Sequence, residues 1–457
     1  MCGIVGIHNH PEASNLAYLS LYALQHRGQE SAGIVSSDAG AFCMHRQMGE
    51  VADIFDVGVL KRLSGKSAIG HVRYSTSGQA RFENAQPLVM NARGQSLAMA
   101  HNGNLTNAVK IRAELEASGA IFQSTMDSEV IMHLIARVSG GELIDKMAQA
   151  LSLVEGAYSL VFLVDEMMIV ARDPRGFRPL VIGRLDGAYI VASESCALDL
   201  IGADFLRSVL PGEMVVFKDG RMKSFLGKIE MPEIRKRAHC IFEYIYFARP
   251  DSHVFDRDVY SIRTGFGKQL AKEHAVDADV VIPVPDSGVP AAIGYSHESG
   301  VPFEMGLIRN HYVGRTFIEP KSEIRHFGVK IKLNAVREVV KGKRVVVIDD
   351  SIVRGTTSMK IVKMLRNAGA KEIHVRISSP PTIWPCFYGI DTPNRDELIA
   401  SRKSTEEIRK FITADTLGYL SRDGLYWFEK LENREWFCDA CFTGDYPVAI
   451  TDNVQKL

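Results

Sequence analysis

The chain of 457 residues predicts an α+β half followed by an α/β half built on a parallel sheet. Three observations carry this. Short apolar and β-branched runs, separated by turn signals and a few helix-period segments, fill residues 1–230. A polar, charged stretch at Leu226–Ala238 then interrupts the pattern. After it strands alternate with helices, the rhythm of βαβ units. The length is a prior of about three domains, and two large ones, 1–230 and 231–457, fit it.

In the first half, strands are expected at Ile4–His8, Gly33–Ser36, Ala68–Tyr74, Leu97–His101, Ser159–Val164, Met168–Arg172, Leu180–Ile182, Ala188–Ala192 and Met214–Phe217. The pairs Asp186-Gly187 and Asp219-Gly220 fit two-residue hairpin turns. Apolar residues at helical spacing predict helices over Leu16–Gln25, Thr106–Ser118 and Asp127–Val138. In the second half, helix Val259–His274 leads to strand Asp279–Pro283 and helix Val289–Ser299. Strand Arg344–Ile348, helix Thr356–Asn367 and strand Glu372–Ile377 follow. The tail after Asp391 reads as helical and charged, ending in Trp436–Cys441.

Composition excludes several classes. Lys+Arg and Asp+Glu are both 54, giving zero net charge, unlike a nucleic-acid binder. With 46% apolar and 24% charged residues the chain is globular rather than disordered. Ala157–Val164 (AYSLVFLV) is among the longest apolar runs. It is far short of the roughly 18 residues a membrane span needs. No secretory signal is visible, so a cytoplasmic protein is expected. Seven cysteines, an odd number, argue against a disulfide framework.

Cys2 stands alone behind Met1. Trimming of Met1 would put a thiol and a free α-amino group on one residue. The amino group, with a pKa of about 7.7–8, can serve as general base to the thiol. Four further segments accompany it: Gln25–Ile34 (QHRGQESAGI), Gly70–Gly78 (GHVRYSTSG), His101–Leu105 (HNGNL) and Asp127-Ser128-Glu129. Together they resemble the N-terminal-nucleophile glutaminase domain of the glutamine amidotransferases that begin with Cys. The resemblance implies a layered αββα fold over about the first 230 residues. It makes Cys2 the nucleophile and Asn102 and Gly103 the oxyanion donors. Arg73 then binds the glutamine carboxylate and Asp127 its ammonium, with Arg27 and Gly28 in the adjoining substrate loop. Arg27 and Tyr74 match loops that, in that family, couple acceptor binding to glutamine hydrolysis, so Tyr74 is expected to signal.

In the second half the apolar run Arg344–Ile348 ends in Asp349-Asp350-Ser351-Ile352-Val353-Arg354-Gly355-Thr356-Thr357-Ser358, where a helix begins. Strand, small-residue loop and helix N-terminus make an anion site. P-loop spacing is absent. Paired carboxylates before the cradle suit sugar hydroxyls. The run resembles the signature of type I phosphoribosyltransferases, which bind phosphoribosyl pyrophosphate (PRPP). The resemblance places Asp349 and Asp350 at the ribose and Mg²⁺, and Ser351, Gly355, Thr356, Thr357 and Ser358 around the 5′-phosphate. It also places Ser287, in Ile282–Gly288, at pyrophosphate and metal. Thr316–Asn334 becomes a mobile lid with Lys332 on the pyrophosphate.

Both halves together resemble the amidophosphoribosyltransferase family, including the junction segment Cys240–Ser252. That implies glutamine and PRPP as substrates, 5-phosphoribosylamine as product, purine-nucleotide inhibition and a homotetramer. It implies no nucleic-acid or membrane partner. The alternatives are another Cys-start glutamine amidotransferase, or a PRPP-sensing regulator that has lost its chemistry. The cysteine pair Cys438-x-x-Cys441, with Cys240 and Cys386, suits either Zn²⁺ or an iron–sulfur cluster by spacing. Resemblance to one branch of the family implies a [4Fe–4S] cluster on these four. Much of that branch carries a short propeptide, whereas here Met removal alone would expose Cys2. Cys43 and Cys196 are expected to be core thiols.

Overall fold

Apolar strands of the first half pair into two antiparallel sheets that share one dry interface. The computed structural model describes residues 2–75, 80–92, 94–229, 237–310 and 333–452. The strands are β1 (Gly3–His8), β2 (Ser31–Asp38), β3 (Ala41–Met48), β4 (Ser67–Arg73), β5 (Leu88–Ala92), β6 (Gln95–Leu105) and β7 (Gly156–Val164). They continue with β8 (Met167–Arg172), β9 (Val181–Leu185), β10 (Ala188–Ala192), β11 (Asp204–Ser208), β12 (Met214–Lys218) and β13 (Arg221–Phe225). One sheet runs β11-β9-β10-β1-β4-β2-β3, the other β13-β12-β8-β7-β6-β5. Ile4, Val35, Ile69 and Val191 of the first meet Ala98, Val161, Leu163 and Val170 of the second. Helices Ala13–Ala23 and Cys196–Ile201 cover the outside of the first sheet. Ala108–Ala117, Glu129–Arg137 and Leu143–Leu151 cover the second. With both faces covered, all nine residues of β7 are buried, which is why its sequence is a continuous apolar run rather than an alternating one.

Every strand expected from the first half is present. Four more, β3, β5, β11 and β13, were not foreseen, and they are the outer strands of the two sheets. Asp186-Gly187 joins β9 to β10 and Asp219-Gly220 joins β12 to β13. Both turn residues have positive φ in each pair, the backbone of a type I′ hairpin.

The second half carries a four-stranded parallel sheet in the order Val280–Pro283, Arg344–Asp349, Glu372–Ile377 and Thr416–Tyr419. The tail after Asp391 is thus not simply helical, because it supplies the outer strand Thr416–Tyr419. Parallel pairing of His239–Cys240 with Phe437–Cys438 ties the tail to the junction. The chain then turns back to the first half. Thr451 Oγ1 donates to the carbonyl of Thr106 at 2.6 Å, and the Asp452 carboxylate accepts from the N–H of Val109 at 2.7 Å. Asp452 thereby caps helix Ala108–Ala117, whose own preceding Asn107 makes no side-chain cap.

Candidate active site

Cys2 lies at the start of β1, next to the paired residues Gly3 and Val72, so β4 carries Arg73 past it. Cys2 is 8% exposed, and its thiol donates to the carbonyl of Tyr74 at 3.7 Å. Its backbone nitrogen donates to Asn102 Oδ1 at 3.3 Å. The other end of that amide, Asn102 Nδ2, is buried with no hydrogen-bond partner among the described residues. A buried donor left unpaired is costly unless something arrives to use it. Gly103 follows on β6, where a Cβ would sit 2.0 Å from the carbonyl oxygen of Ala157. No larger residue fits there without moving β7. Asp127 is held by the N–H groups of Leu105 and Ser128, both at 2.8 Å.

The loop Gln25–Glu30 packs from the other side. A Cβ on Gly28 would fall 2.5 Å from the carbonyl carbon of Arg73, so glycine lets the loop lie directly on β4. Arg73 is buried and approaches Glu30 at 3.7 Å; Glu30 also accepts from the hydroxyl and N–H of Ser75. Arg27 has 1% of its surface exposed. Its Nε donates to the Cys2 carbonyl at 2.9 Å, and its other nitrogens bind Glu194 and Glu243. Burial alone would depress the Arg27 guanidinium, but Glu243 and Glu194 outweigh it and hold it above the usual arginine range. The structure therefore sets Arg27 on the nucleophile's main chain and two buried carboxylates, a bonding pattern the loop motif did not indicate. Glu194, Glu243 and Arg178 were missed in the sequence.

His71, on β4 between the sheets, has no exposed surface and donates from Nε2 to the carbonyl of His101 at 3.1 Å. Burial, reinforced by Arg73, pushes it down to about 3 from 6.5. The ring is neutral at physiological pH. As pH falls, the unfolded chain takes up its proton first, near 6.5, so His71's contribution to stability is complete above that pH and is lost toward pH 3. Urea midpoints are expected to drop between pH 7.5 and 5, and to drop less in His71→Asn.

In the second half, strand Arg344–Asp349 delivers Asp349 and Asp350 to its C-terminal end. Gly355, with φ 76°, turns the loop into helix Thr356–Asn367. Both carboxyls are buried. Asp350 accepts from the hydroxyls of Ser287 and Ser351, each at 2.6 Å, so the turn after strand Val280–Pro283 meets the loop as expected. Burial, then the neighbouring Asp350, pushes the Asp349 carboxyl well above the usual range. A cation between the two would relieve that. Lys332 and nearly all of the expected lid lie outside the described residues; Leu333 and Asn334 belong to strand Leu333–Ala335.

One cavity of about 420 Å³ joins the two halves. Its wall includes Arg27 and Tyr74, both in contact with Cys2, and the whole loop Asp349–Ser358. Aromatic residues of the junction, Phe242, Tyr246 and Phe247, line it between them.

The four cysteines come from three chain segments. Cys240 and Cys438 face each other in register, and the Cys441 carbonyl accepts from the N–H groups of Ile383 and Trp384, at 3.0 Å each, just before Cys386. Cys441 lies within electrostatic reach of Cys240, Cys438 and Cys386. Among the described residues, no three His, Cys, Asp or Glu side chains stand close enough to share one metal ion. Cys196 is buried as expected, but Cys43, on the outer strand β3, is only half-buried.

Cys2 beside a buried amide donor unpartnered among the described residues in the first half, and an acidic strand–loop–helix lining a cavity in the second, are the parts of a glutamine amidotransferase joined to a phosphoribosyltransferase. Family models agree: residues 71–200 match a glutamine amidotransferase domain and residues 267–378 a phosphoribosyl transferase domain. Over 456 residues the chain is 52% identical to the amidophosphoribosyltransferase of Bacillus subtilis, covering 98% of this chain and 94% of that one. The solved glutamine PRPP amidotransferase of B. subtilis, complexed with ADP and GMP, matches with a TM-score of 0.93 at 51% identity, over 99% of this chain and 98% of that one. A second structure, described as the allosteric regulatory enzyme of purine biosynthesis, matches equally, with a TM-score of 0.93 at 51% identity, over 99% and 97%. The chain belongs to the amidophosphoribosyltransferase family. It is a transferase with its own glutamine amidotransferase domain.

Proposed function

We propose that the protein makes 5-phosphoribosylamine, glutamate and pyrophosphate from glutamine, water and PRPP, the committed step of purine synthesis. The supporting observation is the shared cavity, which touches the nucleophile's two neighbours and the phosphoribosyl loop. Once Met1 is removed, the Cys2 thiolate attacks the side-chain amide carbon of glutamine. Asn102 Nδ2 and the Gly103 N–H receive the oxyanion. Arg73 and Asp127 hold the glutamine carboxylate and ammonium, and Gly28 closes the loop that carries Arg27. The tetrahedral intermediate collapses to a thioester as the amide nitrogen takes the proton that the Cys2 amino group drew from the thiol and leaves as ammonia, and water then releases glutamate. Ammonia crosses the cavity, which spares it protonation in bulk water, and displaces pyrophosphate from C1 of PRPP. Tyr74, on the thiol and on the cavity wall, couples the two events.

Ser351, Gly355, Thr356, Thr357 and Ser358 hold the 5′-phosphate, Asp349 and Asp350 the ribose hydroxyls, and Lys332 the pyrophosphate. Mg²⁺ bound by Asp349, Asp350 and Ser287 would neutralise pyrophosphate charge; two adjacent buried carboxyls fit it. The division between the halves falls at residues 230–231. Inhibition by purine nucleotides fits the relative complexed with ADP and GMP, and the family resemblance implies a homotetramer.

We assign a [4Fe–4S] cluster to Cys240, Cys386, Cys438 and Cys441. The pairing of Cys240 with Cys438, and the bonds from Ile383 and Trp384 to the Cys441 carbonyl, bring the three cysteine-bearing segments together, which supports a thiolate-held cluster. The cluster would fasten the tail to the junction. Anaerobically purified protein is expected to be brown, with about four irons per chain; colourless protein loaded with zinc would refute the assignment.

Pyrophosphate release dependent on both glutamine and PRPP tests the overall reading, and an inert wild type sinks it. Asp350→Asn is expected to lower synthesis from glutamine and from ammonia alike, by about tenfold to a hundredfold, the worth of a charge-assisted contact. Basal glutamine hydrolysis should survive.

A further inference from the structure

One carboxylate interrupts the apolar junction run Cys240–Phe247. Glu243 has no exposed surface and sits on a π-helical turn, Glu243–Phe247. Its two oxygens accept from both terminal nitrogens of Arg27, at 3.0 and 2.8 Å, and from Arg178 at 3.3 Å. Arg178 is fixed in turn on the carbonyl of Tyr388, at 2.9 Å through Nε. Behind the turn, buried Arg263 donates to the carbonyls of Tyr244 at 2.6 Å and Ala248 at 2.8 Å. The turn is thus gripped through its backbone, while its one carboxylate grips Arg27. Arg27 spends its remaining Nε–H on the Cys2 carbonyl.

We propose that Glu243 is a positioning residue for glutamine hydrolysis, supplied by the transferase half. It orients the Arg27 fork, which holds the Cys2 main chain and so aligns thiol and amino group with Asn102 and Gly103. No proton or electron pair passes through it. A carboxylate is needed because only two anionic oxygens match two guanidinium N–H groups side by side. The inference rests on Cys2 being the nucleophile.

The buried cluster balances Arg27 and Arg178 against Glu194 and Glu243. Glu243→Gln leaves a surplus cation, so it is paired with Glu243→Gln/Arg178→Met, which restores balance while still removing the fork. Both are assayed as full-length protein. The readouts are kcat and KM for glutamine, synthesis from ammonia, and the alkylation rate of Cys2 by a chloroketone analogue of glutamine. The glutamine kcat and the alkylation rate are expected to fall about tenfold or more in both variants. Ammonia-dependent synthesis and the KM for PRPP should stay within about twofold. Unchanged alkylation and glutamine kcat overturn the proposal. So does parallel loss of both syntheses with loss of cooperative unfolding in both variants, which makes Glu243 structural only. Failure of the nucleophile reading is seen separately, as glutamine-dependent activity in Cys2→Ala.

Discussion

Cys2→Ala is expected to lose glutamine-dependent synthesis by at least about a thousandfold, the scale seen when a covalent nucleophile is removed. Alanine keeps the backbone nitrogen that donates to Asn102 Oδ1 and the carbonyl that takes Arg27 Nε. Only the thiol contact to Tyr74 goes, so the site should stay folded. Ammonia supplied from solution enters after the missing step. The variant should therefore match wild type with ammonia as donor, and that activity should rise with pH as ammonium gives up its proton. Pyrophosphate release with each donor, over a pH series, checks this. Equal glutamine-dependent rates in variant and wild type would remove Cys2 from the mechanism.

The second large effect is expected at Asn102. Its Nδ2 is a buried donor with no partner among the described residues, on the amide whose Oδ1 accepts from the Cys2 N–H. Asn102→Ala should lower the glutamine kcat by about a hundred- to a thousandfold, or about 2.7–4 kcal/mol of barrier. The KM for glutamine should change little if, as proposed, Arg73 and Asp127 do the holding. A rise in KM with kcat unchanged would mean that Asn102 binds ground-state substrate instead. Synthesis from ammonia is again the control, and it should be untouched.

The limits of the sequence follow from where each element lies. β7 declared itself because both faces are covered, every position is buried, and Ser159 alone interrupts its apolar side chains. β3 and β13 mix exposed and half-buried positions, since an outer strand has water along one edge and a single neighbour. Their polar residues erased the pattern. Thr416–Tyr419 was hidden in the same way, as the last strand of the parallel sheet inside a charged tail. In the sites, local motifs were legible: Asn102-Gly103 lies within one strand, and Asp349–Ser358 within one strand–loop–helix passage. The cluster of Arg27, Arg178, Glu194 and Glu243 was not, because its partners lie up to 216 residues apart. One signal was available, since a lone carboxylate within an apolar run must have a buried partner somewhere.

The cap on helix Ala108–Ala117 carries a consequence for synthesis on the ribosome. The Asp452 carboxylate that receives the Val109 N–H lies 343 residues downstream. While the nascent chain is being made, the first turn of that helix can bond only to water. The element that follows Asn102-Gly103 therefore reaches its final bonding only after the transferase half has been translated. A ribosome stalled midway would hold a glutaminase half with this seam still open.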